Sequence, residues 1–487
     1  MISLSNTYSG LPGRFFAHVR PTSVPAPRML KFNHALAAEL GLDADALDSP
    51  EGAEIFSGNT VPEGMTPIAM AYAGHQFGGF VPQLGDGRAM LLGEAIDKKG
   101  IRRDIQLKGA GRTPYSRGGD GRAALGPVLR EYLISEAMHA LGIPTTRALA
   151  AVATGDAVYR ETALPGAVLT RVAASHIRVG TFQFFAARGD VEGLTALADY
   201  VIDRLYPELR GTEHRYLELL KSVTRRQAVL VARWMHVGFI HGVMNTDNCS
   251  ISGETIDFGP CAFMDAYDPA TVFSSIDQGG RYQYQNQPGI AQWNLARLAE
   301  TLLPIIDENI ETAVEKANLM VVDYAASFQE VWSAGLRRKI GLEAAEEEDA
   351  ALIQSLLELM QKDKVDWTGA FRRLSDAARG DDTPFWSLFE DRAAADQWLS
   401  TWRARLGREK ADPGRADRMD QENPLYIPRN HLVEEALAAA IKEDDLGPFD
   451  ALHEVLARPY VAQGADKERY AEPAPLDGRV YRTFCGT

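Results

Sequence analysis

The stretch HGVMNTDNCSISGETIDFGP, residues 241–260, limits the possible folds of this chain more than any other segment. An amphipathic helix predicted over 223–238 delivers the chain into it. Ser252-Gly253 reads as a two-residue hairpin turn between short strands at 249–251 and 254–256. In that register Asn248 and Asp257 face each other, with Cβ atoms about 5 Å apart. An amide oxygen and a carboxylate at that separation can share a small hard cation. Magnesium takes few protein oxygens and leaves positions for phosphate and water. Asp247 is the neighbour of the expected metal ligand, placed to act on an incoming hydroxyl, and His241 is expected to be a structural hydrogen bonder.

Asp257-Phe258-Gly259 matches the D-F-G element of kinases, with Asn248 as its partner asparagine. Alone the tripeptide is weak, and an Asp or Asn at a hairpin end is commonly a turn former. The ordered combination of helix, His-Gly, Asp-Asn, turn and D-F-G carries the reading. A second signal lies upstream. Lys108 ends a strand predicted over 101–107, and Glu131 sits on the next helix, predicted to open at Pro127 and to end at Gly142. Kinase-like folds pair such a lysine with a helix glutamate and aim the lysine at nucleotide phosphates. Between 102 and 130 the chain has Arg102, Arg103, Lys108, Arg112, Arg117, Arg122 and Arg130 against Asp104 and Asp120. Glycine-rich backbone interleaved with arginines suits a polyphosphate, because bare N–H groups approach closely and guanidinium forks clasp oxygens. A solvated loop is the plainer alternative. Arg171 and Arg178 are candidate additions.

That basic segment is local. The 487 residues carry 51 Lys and Arg against 66 Asp and Glu, a net charge of −15, which speaks against wrapping nucleic acid. Hydrophobic residues make up 45% and charged residues 24%, the balance of a globular chain with a sizeable core. No apolar run is long enough to span a membrane, and Ala228 to Ile240 is broken by Arg233 and His236. The three cysteines, Cys249, Cys261 and Cys485, form no disulfide framework and no C-x-x-C pair, so a reducing, cytoplasmic setting is expected.

The texture changes along the chain. A Pro-rich start with a helical stretch near 32–40 precedes a Gly-rich region with GHQFGGF at 74–80, LGDGR at 84–88 and KGAGRTPYSRGGDGRAALG at 108–126. Strands are expected at 89–92, at 149–153 and 157–161 about a Thr154-Gly155-Asp156 turn, and at 168–173. Helices dominate after about 190. The run 343–349 is expected to be a solvated acidic face, and 408–422 a linker or loop. This is an α+β pattern, with a β-rich front and a helical rear, compatible with a two-lobed nucleotide-binding fold. No G-x-x-x-x-G-K-[ST] is present, which excludes a P-loop. Gly109-Ala110-Gly111 continues Arg-Thr-Pro, which spoils a Rossmann fingerprint. Gly85-Asp86-Gly87 lacks a third glycine, and Val243 stands where kinases carry the catalytic-loop Asp of His-x-Asp.

At these residues the chain resembles the selenoprotein O family, also called YdiU. The matching stretches are YAGHQFGGFVPQLGDGRA at 72–89, QLKGAGRTPYSRGGDGRA at 106–123, HGVMNTDN at 241–248, IDFGP at 256–260 and NPLYIPRNH at 423–431. The resemblance implies a protein-kinase-like two-lobed α+β fold, with an extension over 1–64, an N-lobe over 65–185, a C-lobe over 186–405 and a C-terminal extension over 406–487. It implies transfer of AMP from ATP to Ser, Thr or Tyr hydroxyls of proteins, with release of pyrophosphate and with ATP bound inverted. Gly85, Gly87, Arg88, Lys108, Asp120, Gly121, Arg171, Arg178 and Asp257 would hold the nucleotide. Asn248 and Asp257 would hold magnesium or manganese, Asp247 would be the general base, and Glu131 the partner of Lys108. Cys485 matches the place where the family carries selenocysteine or cysteine, and Cys261 is the candidate redox partner. The residues alone leave γ-phosphate transfer, UMP transfer and a non-catalytic nucleotide-binding scaffold open.

Overall fold

Strand alternation decides how the first part of the chain is layered, since successive side chains on a strand point to opposite faces. In the computed structural model, which describes residues 4–475, 480 and 482–484, that part builds one large sheet. Its strands are β1 (Phe16–His18), β2 (Arg28–Phe32), β3 (Ile68–Met70), β6 (Ala89–Ile96), β7 (Arg102–Lys108), β8 (Ala123–Ala124), β9 (Arg147–Tyr159) and β10 (Ala163–Ala173). The order is β1-β3-β6-β7-β10-β9-β2, with β8 beside β10. β4 (Gly74–Gln76) and β5 (Gly79–Val81) pair with each other, outside that sheet.

One face of the sheet is apolar. Ile105 and Leu107 of β7 join Val168 and Val172 of β10 and Leu149 and Val152 of β9, covered by Leu36, Leu47 and Phe56 from three N-terminal helices. Each such side chain contributes about 1.5–3 kcal/mol through burial. Residues 4–64 therefore do more than pack on a core: they supply β1 and β2 and roof this face. The other face of β7 carries Asp104, Gln106 and Lys108: Asp104 meets His176 and Arg204, and Lys108 meets Glu131 of the Leu125–Ala140 helix. The helical remainder is organised by Arg215–His236, Gln287–Ile306 and Ile310–Lys339, which pack on one another. The described chain is thus α+β, sheet-rich first and helical after. Among the described residues no helix is long and apolar enough to cross a membrane.

Several local expectations need correction. Thr154-Gly155-Asp156 is not a hairpin turn, because β9 runs through it as one strand. β10 pairs along both halves of β9, and a register shift between Pro165 and Ala167 absorbs the kink at Gly155, whose φ is +75°. The Leu125–Ala140 helix starts two residues before Pro127, leaving that proline in the first turn, where no amide is needed. Residues 408–422 are not all loop: Arg415–Glu422 is a helix anchored by the buried Met419. The acidic run 343–349 is not wholly solvated either, because Asp349 is buried against Arg405 at 2.6 Å.

Candidate functional site

Lys108, at the end of β7, organises the site. Its Nζ donates to Glu131 Oε2 at 2.6 Å and to Asp257 Oδ1 at 2.8 Å. Arg171 lies two residues past Leu169, the register partner of Lys108 on β10. Its guanidinium donates to Asp257 Oδ1 at 2.8 Å, to Glu131 Oε1 at 3.2 Å and to Gln106 Oε1 at 2.8 Å. Arg178 donates to the Asp247 carbonyl at 2.9 Å, reaches Asp257 Oδ2 at 3.4 Å and lies over the Tyr72 ring. Asp257 thus faces three cations. Burial alone would raise its carboxyl, but Lys108, Arg171 and Arg178 together hold it well below the usual carboxylate range. Asp257 has a φ of +64°, a left-handed conformation that non-glycine residues adopt at a cost and that clusters at functional sites.

These groups open on a cavity of about 500 Å³, within the range of small-molecule sites. Gly85, Gly87, Arg88, Lys108, Asp120, Gly121, Arg171, Arg178, Asp247, Asn248 and Asp257 all line it, and Glu131 stands behind Lys108. Seven cationic side chains against four carboxylates line the cavity of an otherwise acidic chain. Arg178 Nη2 is buried without a hydrogen-bond partner, a donor suited to an anion.

The proposed hairpin does not form. Ser250 bridges Arg178, Thr255 bridges Thr145, and the turn spans Ser250 to Gly253. The backbone of 249–255 finds its partners in two distant segments, through Val179 N to Cys249 O at 2.9 Å and Thr255 N to Pro144 O at 2.9 Å. Asn248 and Asp257 still share the cavity. Asn248 Nδ2 donates to the Val243 carbonyl at 3.0 Å, which leaves the amide oxygen as its ligand-capable end. An amide oxygen and a carboxylate are hard donors that fit Mg²⁺ or Mn²⁺ when phosphate oxygens complete the shell. Among the described residues no group of three or more His, Cys, Asp or Glu could hold a metal without such help.

Asp247 is buried, and burial pushes its carboxyl up to about 6, against the pull of its Gln76 hydrogen bond and of Arg178. His241 bonds the Ile256 carbonyl at 2.9 Å and is fully buried, a structural role as expected. The glycines act on loop packing. A Cβ on Gly85 would meet the Tyr115 ring at 2.4 Å, and one on Gly121 would meet Gly111 O at 2.1 Å. Asp120 is paired with Arg160 at 2.8 Å.

The basic stretch 102–130 divides. Lys108, Arg117 and Arg122 line the cavity. Arg102 and Arg103 pair with Glu94 and Asp97 at the far end of β7, and Arg130 bonds the Gly259 and Cys261 carbonyls, because residues on a strand or helix are carried away from its tip. Sequence reasoning missed Asp86, which accepts from Gln106 Nε2 at 3.1 Å, and also missed Tyr72, Gln76 and Arg160. LGDGR at 84–88 held the clue to Asp86. Cys261 is fully buried, with its thiol pushed up to about 12, mainly by burial, and Cys485 lies outside the described residues.

The family model described as protein adenylyltransferase SelO matches residues 2–457. A protein of Rhizobium rhizogenes called protein nucleotidyltransferase YdiU is 64% identical over 489 residues, covering 100% of this chain and 97% of its own length. Proteins of the same name from Rhizobium meliloti and Agrobacterium fabrum are 64% and 61% identical, the first covering 99% of both chains and the second 100% of both. The chain belongs to the protein adenylyltransferase SelO family.

Proposed function

We propose that this member of a nucleotidyltransferase family transfers AMP from ATP to a Ser, Thr or Tyr hydroxyl of a protein, on a protein-kinase-like fold with lobes over 65–185 and 186–405. The observation that carries the reading is the trio of Lys108 with the buried Arg171 and Arg178 around Asp257. Their side chains are at most 12% exposed, and they form a preorganised cationic wall suited to the β,γ end of an inverted triphosphate. The α-phosphorus would then lie toward Asp247 and Asn248, with pyrophosphate as the leaving group.

In the step proposed, Asp247 accepts the proton of the acceptor hydroxyl as its oxygen bonds to the α-phosphorus. The bond from the α-phosphorus to the bridging oxygen breaks, and its electron pair leaves with pyrophosphate, which the cationic wall stabilises. Asn248 and Asp257 would hold a Mg²⁺ or Mn²⁺ ion, which supplies neutralisation of phosphate charge. Arg88, Asp120, Gly85, Gly87 and Gly121 would shape the nucleotide's remaining surface.

Incubation of the full chain and a candidate protein acceptor with magnesium and ATP labelled at either the α or the γ position tests this. Label from the α position and an AMP-sized mass gain are expected. Label from γ alone would replace adenylyl transfer with phosphotransfer, and preference for UTP would make the product a UMP adduct. Nucleotide binding with no transfer to any acceptor would favour the scaffold.

A further inference from the structure

The GHQFGGF motif folds into the small β4–β5 hairpin, with His75 opposite Phe80 and Gln76 opposite Gly79. Its two turn residues are left-handed, Phe77 at φ +51° and Gly78 at φ +86°. Turns of this kind normally take Asn or Gly at the first position, so a phenylalanine there is held by its surroundings. What it is held against is the loop that carries Asp247. The His75 amide donates to Thr246 Oγ1 at 2.7 Å, Gln76 Nε2 donates to Asp247 Oδ2 at 3.1 Å, and the Phe77 amide donates to Asn245 Oδ1 at 3.1 Å. Three consecutive hairpin residues therefore grip three consecutive loop residues. Gln183 ties the two from behind, accepting from Thr246 Oγ1 at 2.6 Å and meeting His75 Nδ1 at 2.7 Å.

The Asp247 carboxylate has little else to hold it. Oδ1 is buried without a partner, and a Cβ on Gly74 would lie 2.7 Å from it, so the group is wedged against bare backbone. Among the described residues Gln76 is the one side chain that donates to this carboxylate. Gln76 also lines the cavity.

We infer that Gln76 is the positioning residue of the transfer reaction, its amide fixing the orientation in which the Asp247 carboxylate meets the acceptor hydroxyl. The inference rests on the reading of Asp247 as the general base. A base must reach its proton within about 2.6–3.2 Å, and a misplacement of about 1 Å can cost a hundredfold in rate. Because Gln76 acts through its bond to Asp247, its effect falls on turnover and not on nucleotide affinity.

The test uses the full-length protein with ATP, magnesium and a protein acceptor, comparing wild type with Gln76→Leu and Gln76→Asn. Affinity for a non-hydrolysable ATP analogue and the unfolding midpoint are measured in parallel. Gln76→Leu should lower kcat about tenfold while KM for ATP and analogue affinity stay within about twofold. Gln76→Asn, which keeps the amide on a shorter arm, should fall between. Equal kcat for all three, or a loss that follows analogue affinity, overturns the inference. If Asp247→Ala abolishes transfer while Gln76→Leu leaves kcat intact, only the role of Gln76 fails. If wild type binds the analogue and transfers nothing, the nucleotidyl-transfer reading falls, and this role with it.

Discussion

Arg171 Nη1 and Asp257 Oδ1 lie 2.8 Å apart in the cavity wall, and the same guanidinium nitrogen reaches Glu131 at 3.2 Å. One fully buried cation thus serves both the helix glutamate and the candidate metal ligand. Arg171→Ala leaves the buried Glu131 and the half-buried Asp257 each short of a partner. It should destabilise the fold by about 3–5 kcal/mol, read by urea unfolding. Arg171→Lys should recover only part of this, because an ammonium cannot fork between Gln106, Glu131 and Asp257. A fully stable alanine variant would show that the cluster is not a structural unit.

Asp247→Ala should separate chemistry from folding. Transfer of α-label should drop by about 10²–10⁴-fold, the range of a general base. Analogue binding should persist. The unfolding midpoint should hold or rise, since the substitution removes a buried carboxylate with one unpartnered oxygen. Transfer at the wild-type rate would remove Asp247 from the mechanism.

Thiol labelling should be slow in the native state. Burial pushes the thiols of both Cys249 and Cys261 up to about 12, so neither offers a thiolate at neutral pH. At most one thiol per chain should react with an aromatic disulfide reagent at pH 7.5, with two more appearing in denaturant. A second fast thiol in the native protein would contradict the packing around Phe258, whose carbonyl accepts from Cys261 Sγ. A Cys261–Cys485 linkage would require that contact to open.

Acid should weaken the fold from about pH 6.5 downward. Burial pushes His176 down to about 4 despite Asp104, and His236 down to about 3 despite the Trp332 carbonyl. In the unfolded chain both take a proton near pH 6.5, so the unfolded state binds more protons and stability falls as pH drops. The slope is at most about 1.4 kcal/mol per pH unit per histidine, down to about pH 4 for His176 and about pH 3 for His236. Asp247, pushed up to about 6, runs the other way and offsets about one histidine between pH 6 and 4. Unfolding free energies of wild type and His236→Gln between pH 7 and 5 isolate the histidine. The variant should show the flatter profile.

Much of this site was legible before folding. Lys108 at a strand end, Glu131 on the following helix and Asp247-Asn248 before Asp257 could be read because each depends on a local pattern. The hairpin about Ser252-Gly253 was misread for the same reason. A good turn signal says where the chain reverses, but not which segment will pair with it, and here Thr145 and Arg178 took the partners' places. Asp86 and Gln76 were passed over because a single polar residue among glycines has no periodicity to mark it.

By itself the sequence determined the class of site. It specified a glycine-rich basic segment in an acidic chain, a lysine and a glutamate on adjacent elements, and an asparagine and an aspartate of the type that would suit a hard cation. These follow from residue types and from repeats of two and 3.6 residues, which act over a few positions. Only the tertiary structure decided that Asp257 takes a left-handed backbone among three cations, and that Gln76, 171 residues before Asp247, holds its carboxylate. The reason is that a buried polar group must find a partner wherever packing brings one, and packing joins segments without regard to their distance along the chain.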